Sequence, residues 1–203
     1  MSPGCYIALV PQLGKRNKPS IRHEEPRPAP GDLEILRALM NSKENGDGNP
    51  EELTSPEELA SWLSARELLP EGVSLTDEDL RRAVWLRWAL RSLVFTKGEE
   101  GEREVGVIRE LGESIPFRLV FENGLEPRFE PSGTEVMQAF GRLIQLFADA
   151  RREDRWRRFK VCGHCREIFY DHTANRSGRW CRTRCGEYER KKVSRRRRRT
   201  GRV

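Results

Sequence analysis

Four of the five cysteines in the chain fall within 24 residues, as Cys162-Gly163-His164-Cys165 and Cys181-Arg182-Thr183-Arg184-Cys185, with fifteen residues between the pairs. Two close pairs separated by a short loop supply four thiolates, which is the donor set of a tetrahedral zinc ion. Four sulfurs fill the coordination shell and leave no position for water. The expected cofactor is therefore one structural Zn2+, with Cys162, Cys165, Cys181 and Cys185 as its ligands. An odd cysteine count with four of them clustered favours metal over disulfides in a reducing compartment. Cys5 stands far from the cluster and reads as an ordinary thiol. His164 and His172 are alternative ligands; His164, inside the first pair, otherwise reads as a surface histidine.

The metal has a folding task. Around it the sequence offers only Val161, Ile168, Phe169, Tyr170 and Trp180 as sizeable apolar groups. That is too little for an independent core, whereas zinc contributes about 10–16 kcal/mol in small finger peptides.

Charge divides the chain. Residues 151–203 hold 20 Lys+Arg against 6 Asp+Glu, a net of +14, and residues 1–150 carry −8. The basic part suits a polyanion. Arg176, Arg179, Arg182, Arg184, Arg190, Lys191 and Lys192, with Arg195, Arg196, Arg197, Arg198 and Arg199, gather around and after the cysteines. These are the candidate nucleic-acid contacts, because a guanidinium bonds two phosphate oxygens at once. Arg182, Arg184 and Tyr188 are the candidates for reading bases. Residues 186–193 suit a short helix leaving the last ligand, followed by an Arg-rich tail over 194–203. The acidic segment could instead mask the basic one within the same chain.

A competing constellation is Asp171-His172 with Asn175 inside the cysteine frame, which is similar to the His-Asn-His nucleases. Fifteen residues between the pairs are too few for the hairpin and helix those enzymes use. Asp171 and Asn175 then serve to form the loop through side-chain to backbone hydrogen bonds. Residues 31–150 show no nucleophile–base pair, phosphate loop or metal motif, so no catalytic residue is expected and the chain does not read as an enzyme.

The rest of the chain must position this site. Residues 1–30 contain six prolines and read as a flexible segment, with Cys5–Val10 as a short candidate strand. A helix is expected from Asp32 to about Met40. Ser55-Pro56-Glu57-Glu58 is a capping box with proline in the first helical position, with Leu59, Trp62, Leu63 and Leu68 behind it. Thr76-Asp77-Glu78-Asp79 opens a longer helix whose apolar residues, Trp85 and Trp88 among them, exceed one face; it is expected to be central and packed on several sides. Glu99–Leu111 also suits a helix. Phe117, Leu119 and Phe121, the turn at Asn123-Gly124 and the run to Phe129 predict a hairpin, with Pro127 marking an edge strand. Ser132-Gly133-Thr134-Glu135 starts a last helix, which Arg151–Arg158 could continue. The fold class is mainly α with a small β-hairpin (α+β) over 31–150, plus a small C-terminal zinc-finger module over 151–193. No apolar run approaches the roughly 20 residues that cross a bilayer, and Cys5–Val10 is a poor secretory signal; the expected location is cytoplasmic.

Asp171-His172-Thr173-Ala174-Asn175-Arg176-Ser177-Gly178-Arg179-Trp180-Cys181, followed by Cys185-Gly186, resembles the C-terminal module of the CGNR zinc-finger family. Glu52-Leu53-Thr54-Ser55-Pro56-Glu57-Glu58-Leu59-Ala60-Ser61-Trp62-Leu63 is similar to that family's N-terminal, ABATE-type domain. The resemblance covers roughly residues 31–195. It implies a bacterial regulator of transcription under stress, with the four cysteines as ligands and Arg179-Trp180 supporting the loop. Glu187-Tyr188 stands where the family has Asn-Arg. The expected partner is DNA, with RNA as the alternative; a small-molecule effector at the N-terminal domain and a homodimer are further candidates.

Overall fold

In a computed structural model, which describes residues 26–43, 51–96, 102–122, 126–199 and 201, the first helix, α1 (Leu33–Asn41), follows Pro30-Gly31. The next begins where a hydroxyl caps it. In α2 (Pro56–Ser64) the Ser55 hydroxyl accepts from the Glu58 N–H at 3.3 Å, and proline fills the first helical position. This helix stops before Leu68, because Glu67 takes a left-handed conformation at φ 58°. In α3 (Asp77–Phe95) the capping is reciprocal: Thr76 Oγ1 accepts from the Asp79 N–H, and the Asp79 carboxylate accepts from the Thr76 N–H at 2.9 Å.

Helix α4 (Glu102–Glu113) leads into an antiparallel hairpin of β1 (Phe117–Glu122) and β2 (Glu126–Pro131), with Leu119 opposite Phe129. The expected turn at Asn123-Gly124 and the expected strand at Cys5–Val10 lie outside the described residues. Helix α5 (Glu135–Arg152) starts at Thr134, whose hydroxyl accepts from the Met137 N–H. It does not run on to Arg158. The chain breaks at Asp154 (φ 57°) and re-forms as a 3-10 turn over Trp156–Arg158. Strands β3 (Phe159–Val161) and β4 (Ile168–Tyr170) pair antiparallel, and α6 (Thr183–Arg199) ends the fold. The segments expected as a short helix and then a tail form this one helix as far as Arg199.

Leu36, Leu39, Leu59, Leu63, Leu90 and Leu143 are among the fully buried side chains, each contributing about 1.5–3 kcal/mol on transfer from water. Helix α3 is central, touching α1, α2, α4 and β3. It is not buried all round: Trp85 is 37% exposed, so this tryptophan is surface and not core. Arg87 is buried on the same helix, bound to both Glu51 oxygens and to the Ser42 carbonyl at 3.1 Å. The hairpin is present as expected. Its aromatic face is largely uncovered, with Phe121 and Phe129 58% and 62% exposed.

The helical core continues into the cysteine-bearing segment. Trp156 meets Phe147 of α5 edge-on at 4.7 Å, and Phe159 meets Tyr170 at 5.4 Å. Ile168 and Tyr170 belong to the helical core, while Phe169, pointing to the opposite side of β4, packs among the cysteines. Among the described residues no helix is long and apolar enough to cross a membrane.

Candidate metal centre

The four sulfurs converge. The Sγ atoms of Cys162, Cys165, Cys181 and Cys185 all lie within 4.8 Å of one another, and all four residues are buried. Cys165–Cys181, Cys181–Cys185 and Cys165–Cys185 are 3.4, 3.7 and 3.9 Å apart. A disulfide needs about 2.05 Å. A tetrahedron of sulfurs at about 2.3 Å from zinc has edges of about 3.8 Å, so these separations suit one zinc ion. Neither His164 nor His172 joins the cluster.

Charge makes the same demand. Accepting from Cys165 and Cys181 draws the Cys162 thiol far down. The bond to Cys162 pushes Cys165 and Cys181 up, and burial does the same to Cys185. Four thiolates cannot share this space without a cation, and a divalent ion supplies the compensating charge. Helix α6 assists: Cys185 lies in its first turn, where the helix dipole favours a thiolate.

The first pair is shaped by the β3–β4 turn. The Cys162 N–H donates to the Glu167 carbonyl at 2.8 Å, and the Arg166 N–H returns to the Cys162 carbonyl at 3.1 Å. The second pair is placed by the loop between Asp171 and Trp180. The Asp171 carboxylate, 1% exposed, accepts from Lys160 Nζ at 2.7 Å, from the Thr173 hydroxyl and N–H, and from the Gly178 N–H at 2.8 Å. Burial would raise its pKa, but Lys160, Thr173 and Gly178 together outweigh that and hold it down at about 2. Any side chain at 178 would collide, since a Cβ there would stand 2.6 Å from Asp171 Oδ1. Asp171 therefore forms the loop, as its residue type suggests, and no nuclease-like pairing with His172 exists: His172 Nε2 meets the Pro28 carbonyl.

Trp180 holds the two halves together. Its ring lies between two glycines: a Cβ on Gly163 would be 2.7 Å from Cζ3, and one on Gly186 would be 2.9 Å from Cδ1. Residues 33–155 match the family described as "ABATE: Putative stress-induced transcription regulator", and residues 158–200 match the CGNR zinc finger. The chain belongs to the ABATE family and carries a CGNR zinc finger. Neither description is of an enzyme family. Comparison with curated proteins gives no match.

In this zinc finger His164 is not the surface residue expected. It is 1% exposed, with Nδ1 2.9 Å from Glu189 Oε1 and its ring 4.3 Å from that of Tyr188. Tyr188, in the place of the family's arginine, thus packs on the knuckle. Of the basic residues singled out in the sequence, Arg182 is turned inward to Glu167 at 2.6 Å and is raised in pKa, its burial outweighed by that partner. Arg176 pairs with Asp154 at 2.6 Å. Arg179, Arg184, Arg190, Lys191, Lys192 and Arg195–Arg198 are exposed; Arg199 closes the helix. The packing of Gly163 and Gly186 on Trp180 was missed; its trace in the sequence is a glycine directly after a cysteine in each pair, the second of which belongs to the family motif.

Proposed function

We infer that this chain is a zinc-dependent, DNA-binding regulator of transcription working in the cytoplasm, its ABATE domain serving to sense a ligand or to associate. One observation carries the reading: a helix with at least eight exposed cations, Arg184, Arg190, Lys191, Lys192 and Arg195–Arg198, is rooted in the metal centre through Cys185. The metal provides rigidity, and the helix provides charge at fixed spacing. In this role Arg182 braces the knuckle through Glu167, and the outward arginines meet phosphate.

The test uses the full chain loaded with zinc and a random-sequence duplex, followed by fluorescence anisotropy over a range of salt. With about 6–8 phosphates neutralised, log affinity falls against log salt with a slope of roughly −5 to −7. Chelation abolishes binding. Absence of binding at low salt, or binding indifferent to metal, refutes the reading. Sequences selected from the bound pool then define the site. Consecutive arginines on an exposed helix also suit folded RNA, and competition between duplex and structured RNA at equal salt decides between the two.

A further inference from the structure

A cleft of about 1780 Å³ runs between α6 and the helical body. Small-molecule sites are usually about 300–1,000 Å³, so this one is sized for part of a polymer. One wall comes from the end of α5 and the 3-10 turn, with Arg151 and Arg157. The opposite wall is one stripe of α6: Arg190, Val193, Ser194, Arg197 and Arg198 recur at helical spacing. Arg166 and Arg179 add charge to the lining, which also includes Lys160, paired with Asp171. The acidic groups of the lining are Asp154, which pairs with Arg176 and Arg157, and Glu189, which faces His164 and Lys192. Four of the five consecutive arginines are thus divided: Arg197 and Arg198 face the cleft, while Arg195 and Arg196 fall on the far side of the helix.

The lining carries eight Lys and Arg against two acidic groups, Asp154 and Glu189, and such an excess of cations favours an anionic occupant. A cleft lined by a large excess of one sign of charge, with apolar groups such as Val161 and Phe159 behind it, also concentrates the field. We propose that this cleft is a clamp for a nucleic-acid phosphate backbone, closed on one side by the end of the ABATE domain through Arg151 and by the 3-10 turn after it through Arg157, and on the other side by α6. The clamp rests on the nucleic-acid reading above and adds to it. The helical domain itself holds the polyanion, in place of leaving that task to the zinc finger alone.

The test compares zinc-loaded full-length wild type with the double variant Arg151→Gln/Arg157→Gln. Arg103→Gln/Arg109→Gln, on α4 away from the cleft, removes the same charge as a control. Zinc content and thermal unfolding confirm that each folds. Against a random-sequence duplex, the cleft variant loses affinity at least tenfold more than the control, and its salt slope becomes shallower by about 2. Equal losses in the two variants overturn the clamp while leaving the regulator reading intact. Calorimetric titration with inorganic tripolyphosphate reads phosphate binding in the cleft by itself. If wild type binds no nucleic acid yet binds tripolyphosphate in a manner lost only in the cleft variant, the regulator reading and the nucleic-acid clamp both fall, and the cleft is a site for small phosphate anions. If it binds neither, both fall.

Discussion

The Asn41 side chain pairs with the backbone of Ile168 as a neighbouring strand would: Nδ2 donates to the Ile168 carbonyl at 2.8 Å, and the Ile168 N–H donates back to Oδ1 at 2.9 Å. The last residue of α1 thereby docks the strand that follows the first cysteine pair. Arg91 of α3 adds a bond to the Arg166 carbonyl at 3.2 Å. The metal module is thus joined to the helical body by directional bonds as well as by shared apolar packing.

Replacing Asn41 tests this joint. Asn41→Ala strips two backbone groups of their partners, which costs about 1–3 kcal/mol in stability. Chemical denaturation of the zinc-loaded protein measures the loss. Zinc stoichiometry remains one per chain, because no ligand is touched. A variant as stable as wild type would show that the joint contributes nothing.

Metal content follows from the sulfur geometry. Purified reduced protein contains one zinc per chain, and Cys181→Ser binds it far more weakly. Because thiolates must be deprotonated to ligate, zinc leaves as the pH falls. Release is read with a chromogenic chelator, and intrinsic tryptophan fluorescence changes with it, since Trp180 lies against both halves of the site.

Asp171 predicts a pH dependence. Its folded pKa, about 2, lies below the usual carboxylate value near 3.9. The stabilisation is therefore fully present above the unfolded pKa and is lost as the pH falls through the folded one. Asp171→Asn costs roughly 2 kcal/mol at neutral pH. The gap between wild type and variant narrows from about pH 5 towards pH 2, as unfolding free energies across that range will show. A gap constant with pH would rule out the ionised carboxylate as its source.

The glycines around Trp180 predict a contrast. Gly163→Ala or Gly186→Ala forces the indole out of place and destabilises by about 1–3 kcal/mol, with a shift in fluorescence. Gly106→Ala in α4, where an added Cβ meets nothing within 4 Å, stabilises by roughly 0.5–1 kcal/mol. Melting temperatures of the three variants, moving in opposite directions, check both statements.

Features written in a few neighbouring residues were legible in the chain alone. The caps at Ser55, Thr76 and Thr134 start helices because a hydroxyl two or three residues ahead of an N–H can reach it. The convergence of the four cysteines was legible because paired cysteines on tight turns need only a short loop to meet. Asp171 was legible as a loop former for the same local reason.

What the sequence left open depends on partners far away along the chain. Whether Trp85 is core or surface depends on which flank of α3 its neighbours cover. Arg182 and Arg184 look alike in sequence, yet only Arg182 finds Glu167 beside it once the knuckle folds. Asn41 meets Ile168 across 127 positions, and Arg157 comes to line one cleft with α6 after the chain turns at Asp154. Spacing reports what a residue can reach within a turn or two; the packing of the common core decides what stands opposite it.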